Sequence, residues 1–424
     1  MEIVVNTFGT RGDIQPYIAL SLGLQQSGHS VRIVTHKIFD AFVNKYGLDF
    51  YPLDLDPREV LINQALAELG NNTIRISHWM QKNFKPVLRE VFEKTYFANK
   101  DADLILNSGL SFAGWHVAEK LKVLSLATFL WPMTPSRYIL GAVGKNPPSW
   151  LPFRGMVNYL TTKLFNQLFY NLMLPSVNEC RKEILNLHPL RARDYWRMDS
   201  PRSVTPIIYG YSPTVVPKPS DWSDNQQISG YWYLDDAREY QPQKDLLDFL
   251  ENGSPPVYIG YGSMVDHQGE GLTQIAIEAL REINQRGILL GGWSKLGSGN
   301  LPDFIFRVDA VPHDWLFPKM ATVVHHGGAG TTAQGLRAGV PSVIVPMFGD
   351  QFFWGWRVQE LGVGPKPIPR KKLTVDNLAR AIKQAINDDK IKEKAIKIGD
   401  QIHSENGVDI AVGLIETFAN EGKL

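Results

Sequence analysis

One cysteine, Cys180, stands among 424 residues, so no internal disulfide can staple this chain. Long apolar runs are missing too. The most apolar candidate, YLTTKLFNQLFYNLML from Tyr159 to Leu174, falls short of the ~18 residues a membrane span needs and is broken by Lys163 and two asparagines. Nor does one sign of charge prevail: 44 Lys and Arg face 43 Asp and Glu, which gives no net pull toward a polyanion and argues against a nucleic-acid partner. The N-terminal MEIVVNTFG reads as a strand, without the basic segment and apolar core of a signal peptide, so a cytoplasmic protein is expected. Low-complexity tracts and short repeats are absent as well.

What is present is a chain 44% hydrophobic and too long for one ordinary core, so two domains are expected. In the first half, Ile3 to Asn6, Val31 to Thr35, Leu104 to Asn107 and Val123 to Ala127 are short, mostly apolar runs that read as buried parallel strands. Between the first two, Ile14, Tyr17, Ile18 and Leu22 recur at helical spacing and Ser27-Gly28 supplies a stop. The rhythm changes from about Gly141 to Pro206, where aromatics, basic residues and prolines mix; this reads as an insertion that shapes a cleft. The turn-rich VVPKPSDWSDNQQISG then suits an interdomain crossing near Asp221, dividing the chain into 1–220 and 221–424. Beyond it the strand, glycine turn and helix recur, with strands expected at Val257 to Tyr261, Ile288 to Leu290, Phe304 to Val308, Thr322 to Val324 and Ser342 to Val345. The last stretch, about Val375 to Phe418, is helical by pattern. The economical architecture is α/β, two doubly wound Rossmann-like domains in series.

Chemistry concentrates in VVHHGGAGTTAQGLRAGVPSVIVPMFGDQ, Val323 to Gln351. A strand ends at His325 or His326, a glycine-rich bend follows, and Thr331-Thr332 open a helix that Gly339 and Pro341 close. Free backbone N–H groups and the positive end of a helix then converge at the edge of a parallel sheet, where phosphate is well held. His326 can donate a ring hydrogen bond to a phosphate oxygen; alternatively it is a satisfied histidine in a tight turn. Gly328-Ala329-Gly330 with Ala333 also fit the dinucleotide fingerprint, with Asp350 twenty residues past Gly330, so an NAD-type oxidoreductase is an alternative. Asp350 and Gln351 side by side at a strand-to-helix turn suit the hydroxyls of a sugar, unless Asp350 only caps the following helix.

The first domain offers NTFGTRGDIQPYIAL, where a strand leads into Gly9-Thr10-Arg11-Gly12 and Asp13 stands at the mouth of the first helix. A carboxylate there can take a proton from an attacking hydroxyl if the transfer is concerted with bond formation. Asp is equally a favoured residue for capping a helix start, and both roles stand open.

The motifs HHGGAGTT and GDQ, with VPHDWLFPK (Val311 to Lys319) and GTRGDIQPYIAL, together resemble the UDP-sugar-dependent glycosyltransferases of the GT-B fold, nearest the sterol 3-beta-glucosyltransferase group. The resemblance covers both halves and is weakest from Gly141 to Pro206. It implies two Rossmann-like domains facing across a cleft, the donor in the C-terminal one and the acceptor in the N-terminal one, with a terminal helix crossing back. It implies inverting transfer of a hexose from a UDP-sugar to the hydroxyl of an apolar acceptor such as a sterol, with no metal and no cofactor. Asp13 would be the base. Ser263, His326, Gly328, Ala329, Gly330 and Thr331 would hold the phosphates, Asp350 and Gln351 the sugar, and Val311 and His313 the uracil and ribose, with Gly12 also touching the donor. His313 equally suits a helix start, and Trp293, a wall of the nucleotide pocket on this reading, equally suits a core. His29 and His36 are expected to be structural, since Asp13 is itself the carboxylate. Trp150, Leu151, Phe153, Tyr159, Leu160 and Leu164, with Arg154 and Lys163 among them, suit an apolar acceptor pocket, peripheral contact with a membrane, or an ordinary buried helix. A transferase for another natural-product acceptor and a lipid-binding protein on an inactive scaffold are the remaining alternatives.

Overall fold

A computed structural model describes residues 1–55, 85–109, 111, 113–141, 147–148, 150–194, 205–235, 239–262, 269–291, 296–297 and 299–422. Strands form where short β-branched runs are buried on both faces. In β1 (Glu2–Asn6), Ile3, Val4 and Val5 are all inaccessible, the pattern of a strand covered by helices on both sides of a parallel sheet. The first sheet adds β2 (Ser30–His36), β3 (Asp49–Leu53), β4 (Leu104–Ser108), β5 (Leu124–Phe129), β6 (Ile207–Tyr209) and β7 (Gln226–Ile228), in the order β3-β2-β1-β4-β5-β6-β7. The second holds β8 (Val257–Gly260), β9 (Gly287–Leu290), β10 (Ile305–Val308), β11 (Thr322–His325) and β12 (Ser342–Ile344), in the order β10-β9-β8-β11-β12. Every pairing in both sheets is parallel.

Two strands escape the sequence pattern. β3 contains Pro52 and an exposed Asp49, and β7 is the short polar QQI at a sheet edge, so neither carries an apolar run. Because β7 pairs with β6 (Ile207↔Gln226), the segment near Asp221 is a loop leading to the last strand of the first sheet, and the chain crosses to the second sheet only after Ile228.

Both sheets run outward from a central first strand and then reverse, between β1 and β4 in one and between β8 and β11 in the other. At such a switch point the following loops diverge and open a crevice beyond the strand ends. The first helix, Arg11–Gln26, packs Ile14, Ile18 and Leu24 into the first core. That core also receives Ala411, Val412, Ile415 and Phe418 from the terminal helix Gly407–Glu421, which therefore crosses back. The helices cross closely because Gly23 has no side chain: a Cβ there would lie 2.4 Å from Val408 Cγ1. Side chains tie the domains as well. Ser212 donates to Glu405 at 2.6 Å, Tyr233 to the Ala333 carbonyl at 3.0 Å, and Arg337 to Asp235 at 2.6 Å.

The long helix Arg154–Glu183 overturns its reading as an ordinary buried helix. Its N-terminal half buries Asn158, Thr162 and Asn166 and turns apolar side chains outward. Its C-terminal half is conventional, with Met173, Val177 and Cys180 packed in a core.

Gly23→Leu tests the crossing helix. Overpacking at this contact costs about 2 kcal/mol, and chemical denaturation is expected to show that loss, with the terminal helix the first segment to gain hydrogen exchange.

Candidate functional site

The loop after β1 is built around Asp13. The first helix begins after Thr10, whose backbone is extended, and Asp13 Oδ2 accepts from Thr10 N at 2.8 Å and from Thr10 Oγ1 at 3.0 Å. Asp13 thus does serve the helix start. Both hydrogen bonds fall on Oδ2, and Oδ1 accepts none among the described residues. The close approach depends on Gly9, whose φ is +128° and whose Cβ would sit 2.4 Å from Asp13 Oδ2. His36 fixes this loop: Gly9 N donates to its Nε2 and its Nδ1 donates to the Leu55 carbonyl, both at 3.0 Å. Asp13 borders a narrow recess lined by Phe8, Tyr17, Ser108, Gly109, Leu130 and Trp131, from the loops after β1, β4 and β5 and from the first helix. Burial against these groups raises its pKa to about 6, opposed by the two hydrogen bonds from Thr10.

Across the cleft, the turn after β11 places its glycines by contact. Gly327 takes φ +88°, and a Cβ there would meet Ile344 Cγ2 at 2.7 Å and the Gln351 carbonyl at 2.9 Å. The His326 ring lies between Gly262 and Gly328, where added Cβ atoms would come within 2.6 Å of Cε1 and 2.5 Å of Nε2. Its Nδ1 is buried with no hydrogen-bond partner among the described residues, and burial lowers its pKa to about 4, so the ring is neutral near pH 7. The helix Ala329–Arg337 starts after Gly328 with no side-chain cap. The backbone N–H groups of Ala329, Gly330 and Thr331 have no intrahelical acceptor, and the first intrahelical bond is Thr332 N to the Gly328 carbonyl at 2.9 Å. This helix start lies against the other domain: a Cβ on Gly330 would meet the Gly12 carbonyl at 3.8 Å. Two helix starts, at Arg11 and Ala329, therefore face each other.

Asp350 does not cap the helix Gln351–Leu361 through its side chain; its Oδ2 accepts from Trp354 Nε1 at 3.0 Å. Burial first, and then the negative charge of Asp13, raise its pKa to about 7. The two acids thus share one electrostatic environment across the cleft. Gln351 is buried, and its Oε1 accepts from Met347 N at 2.8 Å and Phe348 N at 3.3 Å, which leaves the Nε2 amide as its remaining donor. His313 opens a short helix, stacks on Phe317 at 4.3 Å and lies 3.2 Å from the Tyr258 hydroxyl. Burial, with help from the Arg11 and His326 charges, holds its pKa down to about 3. Val311 is half-buried beside the same aromatic cluster.

The structure brings Gly12, Asp13, Val311, His313, His326, Gly328, Ala329, Gly330, Thr331, Asp350 and Gln351 around one cleft, while Ser263 and Trp293 lie outside the described residues. His29 does serve structure, lying 3.0 Å from Glu416 on the terminal helix. His36 does so too, since it holds the Gly9 loop. Sequence reasoning missed two participants. Arg11 brings its charge to His313 from the opposite domain, and Trp131 lines the recess at Asp13. Arg11 sits inside GTRGD and was within reach; Trp131 comes from the end of another strand with no local signature.

Two parallel α/β domains whose glycine-rich strand-to-helix turns face each other define a glycosyltransferase of the GT-B class. Residues 3–139 match the Glycosyltransferase family 28 N-terminal domain, and residues 287–416 the Erythromycin biosynthesis protein CIII-like C-terminal domain. Among solved structures, the glycotransferase of kitacinnamycin covers 98% of this chain and 98% of its own at TM-score 0.67 and 18% identity. The calicheamicin glycosyltransferase CalG4 covers 99% and 98% at TM-score 0.66 and 16% identity; these likenesses show the fold. A sterol 3-beta-glucosyltransferase of Arabidopsis thaliana is 37% identical over 97% of this chain and 67% of its own length, and the chain belongs to the sterol 3-beta-glucosyltransferase family. A sterol 3-beta-glucosyltransferase of Aspergillus oryzae is 38% identical over 98% of this chain, which spans only 30% of that relative's length.

Gly328→Ala is expected to weaken UDP binding about ten-fold, equivalent to about 1.4 kcal/mol, because the methyl displaces the His326 ring while its backbone tolerates alanine; titration calorimetry checks this. Asp350→Asn separates binding from stability. A carboxyl with its folded pKa raised to about 7 is disfavoured as an anion, so it penalises the fold increasingly above its unfolded value of 3.8 and fully above pH 7. The amide is expected to raise the thermal midpoint in mildly alkaline buffer, to lose that advantage below about pH 4, and to weaken sugar-nucleotide binding throughout.

Proposed function

We propose that the chain transfers glucose from UDP-glucose to the hydroxyl of a sterol or similar polycyclic acceptor, with inversion at the sugar carbon and without a metal. The observation that carries this reading is the meeting of Gly12 with Gly330, which sets the carboxylate of Asp13 beside an uncapped helix start on the opposite domain.

Asp13 Oδ1 accepts the acceptor's hydroxyl proton as that oxygen attacks the anomeric carbon. The bond from that carbon to the phosphate oxygen breaks on the opposite face, and UDP departs. A free carboxylate is too weak to deprotonate an alcohol outright; a pKa of about 6 narrows the gap and supports a concerted transfer. The charge gathering on the leaving phosphate is met by the Ala329, Gly330 and Thr331 N–H groups and by the helix dipole behind them. His326, neutral near pH 7, contributes a hydrogen-bond donor, and Arg11 adds positive charge from the facing domain. Together with Gly12 these groups compensate the pyrophosphate without a metal ion. Asp350 and the Gln351 amide take the sugar hydroxyls, and Val311 and His313 flank the base. Phe8, Tyr17, Leu130 and Trp131 around Asp13 favour an apolar acceptor. The sterol 3-beta-glucosyl transfer for which the family is named supports a glucosyl donor and a sterol acceptor. The dinucleotide alternative gains nothing: Asp350 lies beyond β12, at the start of the next helix, and is held there by Trp354.

Asp13→Asn is expected to lower kcat by roughly a hundred- to ten-thousand-fold while UDP affinity is kept. Because the base must be ionised, wild-type kcat/KM is level above a pH of about 6 and falls as pH drops through it, and the variant loses that limb. Normal transfer by the variant would reject Asp13 as the base.

A further inference from the structure

The long helix Arg154–Glu183 is inside out over its first half. Asn158, Thr162 and Asn166, spaced four apart, are buried, while Phe153, Leu164 and Leu168 on the outer side are 79%, 63% and 61% exposed, with Trp150 just before the helix at 78%. A helix that only served the fold would turn these groups the other way. The outward apolar stripe from Phe153 to Phe169 runs about 24 Å at helical rise, and an exposed face of this kind marks an interaction surface.

Charge selects the occupant. Between Glu119 and Glu179 the sequence has no Asp or Glu, yet it carries Lys120, Lys122, Arg137, Lys145, Arg154 and Lys163. Arg154 and Lys163 lie on the helix itself, and exposed Arg137 packs against its start at Gly155. The nearby acid Asp221 is occupied by Ser136 Oγ and Arg137 N at 2.8 and 2.7 Å. Asp194 lies near Tyr170 beyond the apolar stripe, and the aromatic and aliphatic side chains among Arg137, Arg154 and Lys163 suit the interface of a bilayer with anionic headgroups, on which an amphipathic helix lies flat. No helix among the described residues is long and apolar enough to cross a membrane.

The buried polar face supplies a link to the cleft. Asn158 Nδ2 donates to the Arg137 carbonyl at 3.2 Å, Gly141 N donates to Thr162 Oγ1 at 3.1 Å, and Asn166 Nδ2 donates to the Met133 carbonyl at 3.0 Å. All three bonds hold the segment that follows Leu130 and Trp131, the wall of the recess at Asp13. We propose that the outward face of this helix docks on an anionic lipid bilayer and that its inward amides set the acceptor recess at a fixed height over that surface, so that a membrane-resident alcohol enters without crossing water. The delivery step rests on the glucosyl-transfer reading; the docking does not.

The experiment is co-sedimentation of the full chain with phosphatidylcholine vesicles with and without phosphatidylserine, comparing wild type with Leu164→Glu/Leu168→Glu, two exposed sites. Transfer is measured in parallel to sterol held in the vesicles and to sterol dispersed in detergent. The expected result is salt-sensitive binding that strengthens with phosphatidylserine, a loss of at least about ten-fold in partitioning for the variant, and loss of transfer to vesicle-held sterol alone. Failure of wild type to bind either vesicle, or equal binding by the variant, overturns the docking. So does a variant that binds vesicles normally but turns a dimer into a monomer by light scattering, which would give the face to a second copy. Vesicle binding as expected without transfer to sterol in either form would leave the docking intact and reject the transfer reading.

Discussion

Everything at the cleft follows from two helix starts that face one another. The Ala329 start leaves its N–H groups without a side-chain cap, the Arg11 start is closed on itself by Asp13, and both carry a partial positive charge, so like ends do not attract. What holds them together is distant: the Gly23 and Val408 contact, the mixed core of the terminal helix, and the Ser212, Tyr233 and Arg337 bonds. The fold thus holds the uncapped Ala329 helix start against the loop at Gly12 of the other domain. The nucleotide diphosphate proposed above would bind where these two elements meet.

Within that gap the glycines serve geometry more than flexibility. Gly327 needs its positive φ, but Gly328 has an ordinary backbone and is small because the His326 ring occupies the space. On the facing side Gly9 lets a carboxylate sit against the main chain. The titratable groups sort by environment: burial keeps His313 and His326 neutral and lifts Asp13 and Asp350 toward neutrality. The cleft thereby carries less fixed charge than its residue list suggests, which leaves the backbone donors and Arg11 as its main positive features.

Much of this was legible in the sequence where local pattern and function coincide. The runs at Ile3 and Val257 announce strands because both faces are buried, and HHGGAGTT announces a tight strand-to-helix turn because only glycines let a backbone approach so closely. β3 and β7 were not legible, since an edge strand with proline or glutamine carries no apolar signature. The Trp131 wall and the His36 brace are contacts between loops far apart in the chain, and one sequence cannot show them. The helix from Arg154 was visible as a helix, but its orientation was not: periodicity reports that one face is apolar, not which face looks inward.

The polypeptide passes between the lobes twice, and the two passages touch. Gly407 at the start of the terminal helix lies against Gly230 and the Tyr231 carbonyl so tightly that a Cβ on it would come within 2.3 Å of that oxygen. A protein with one connector can splay in any direction; here both connectors are pinned together at one point, which restricts how the lobes can part. Nor can either lobe be excised by cutting once, since a fragment ending at the first passage forfeits the C-terminal segment that completes its interior.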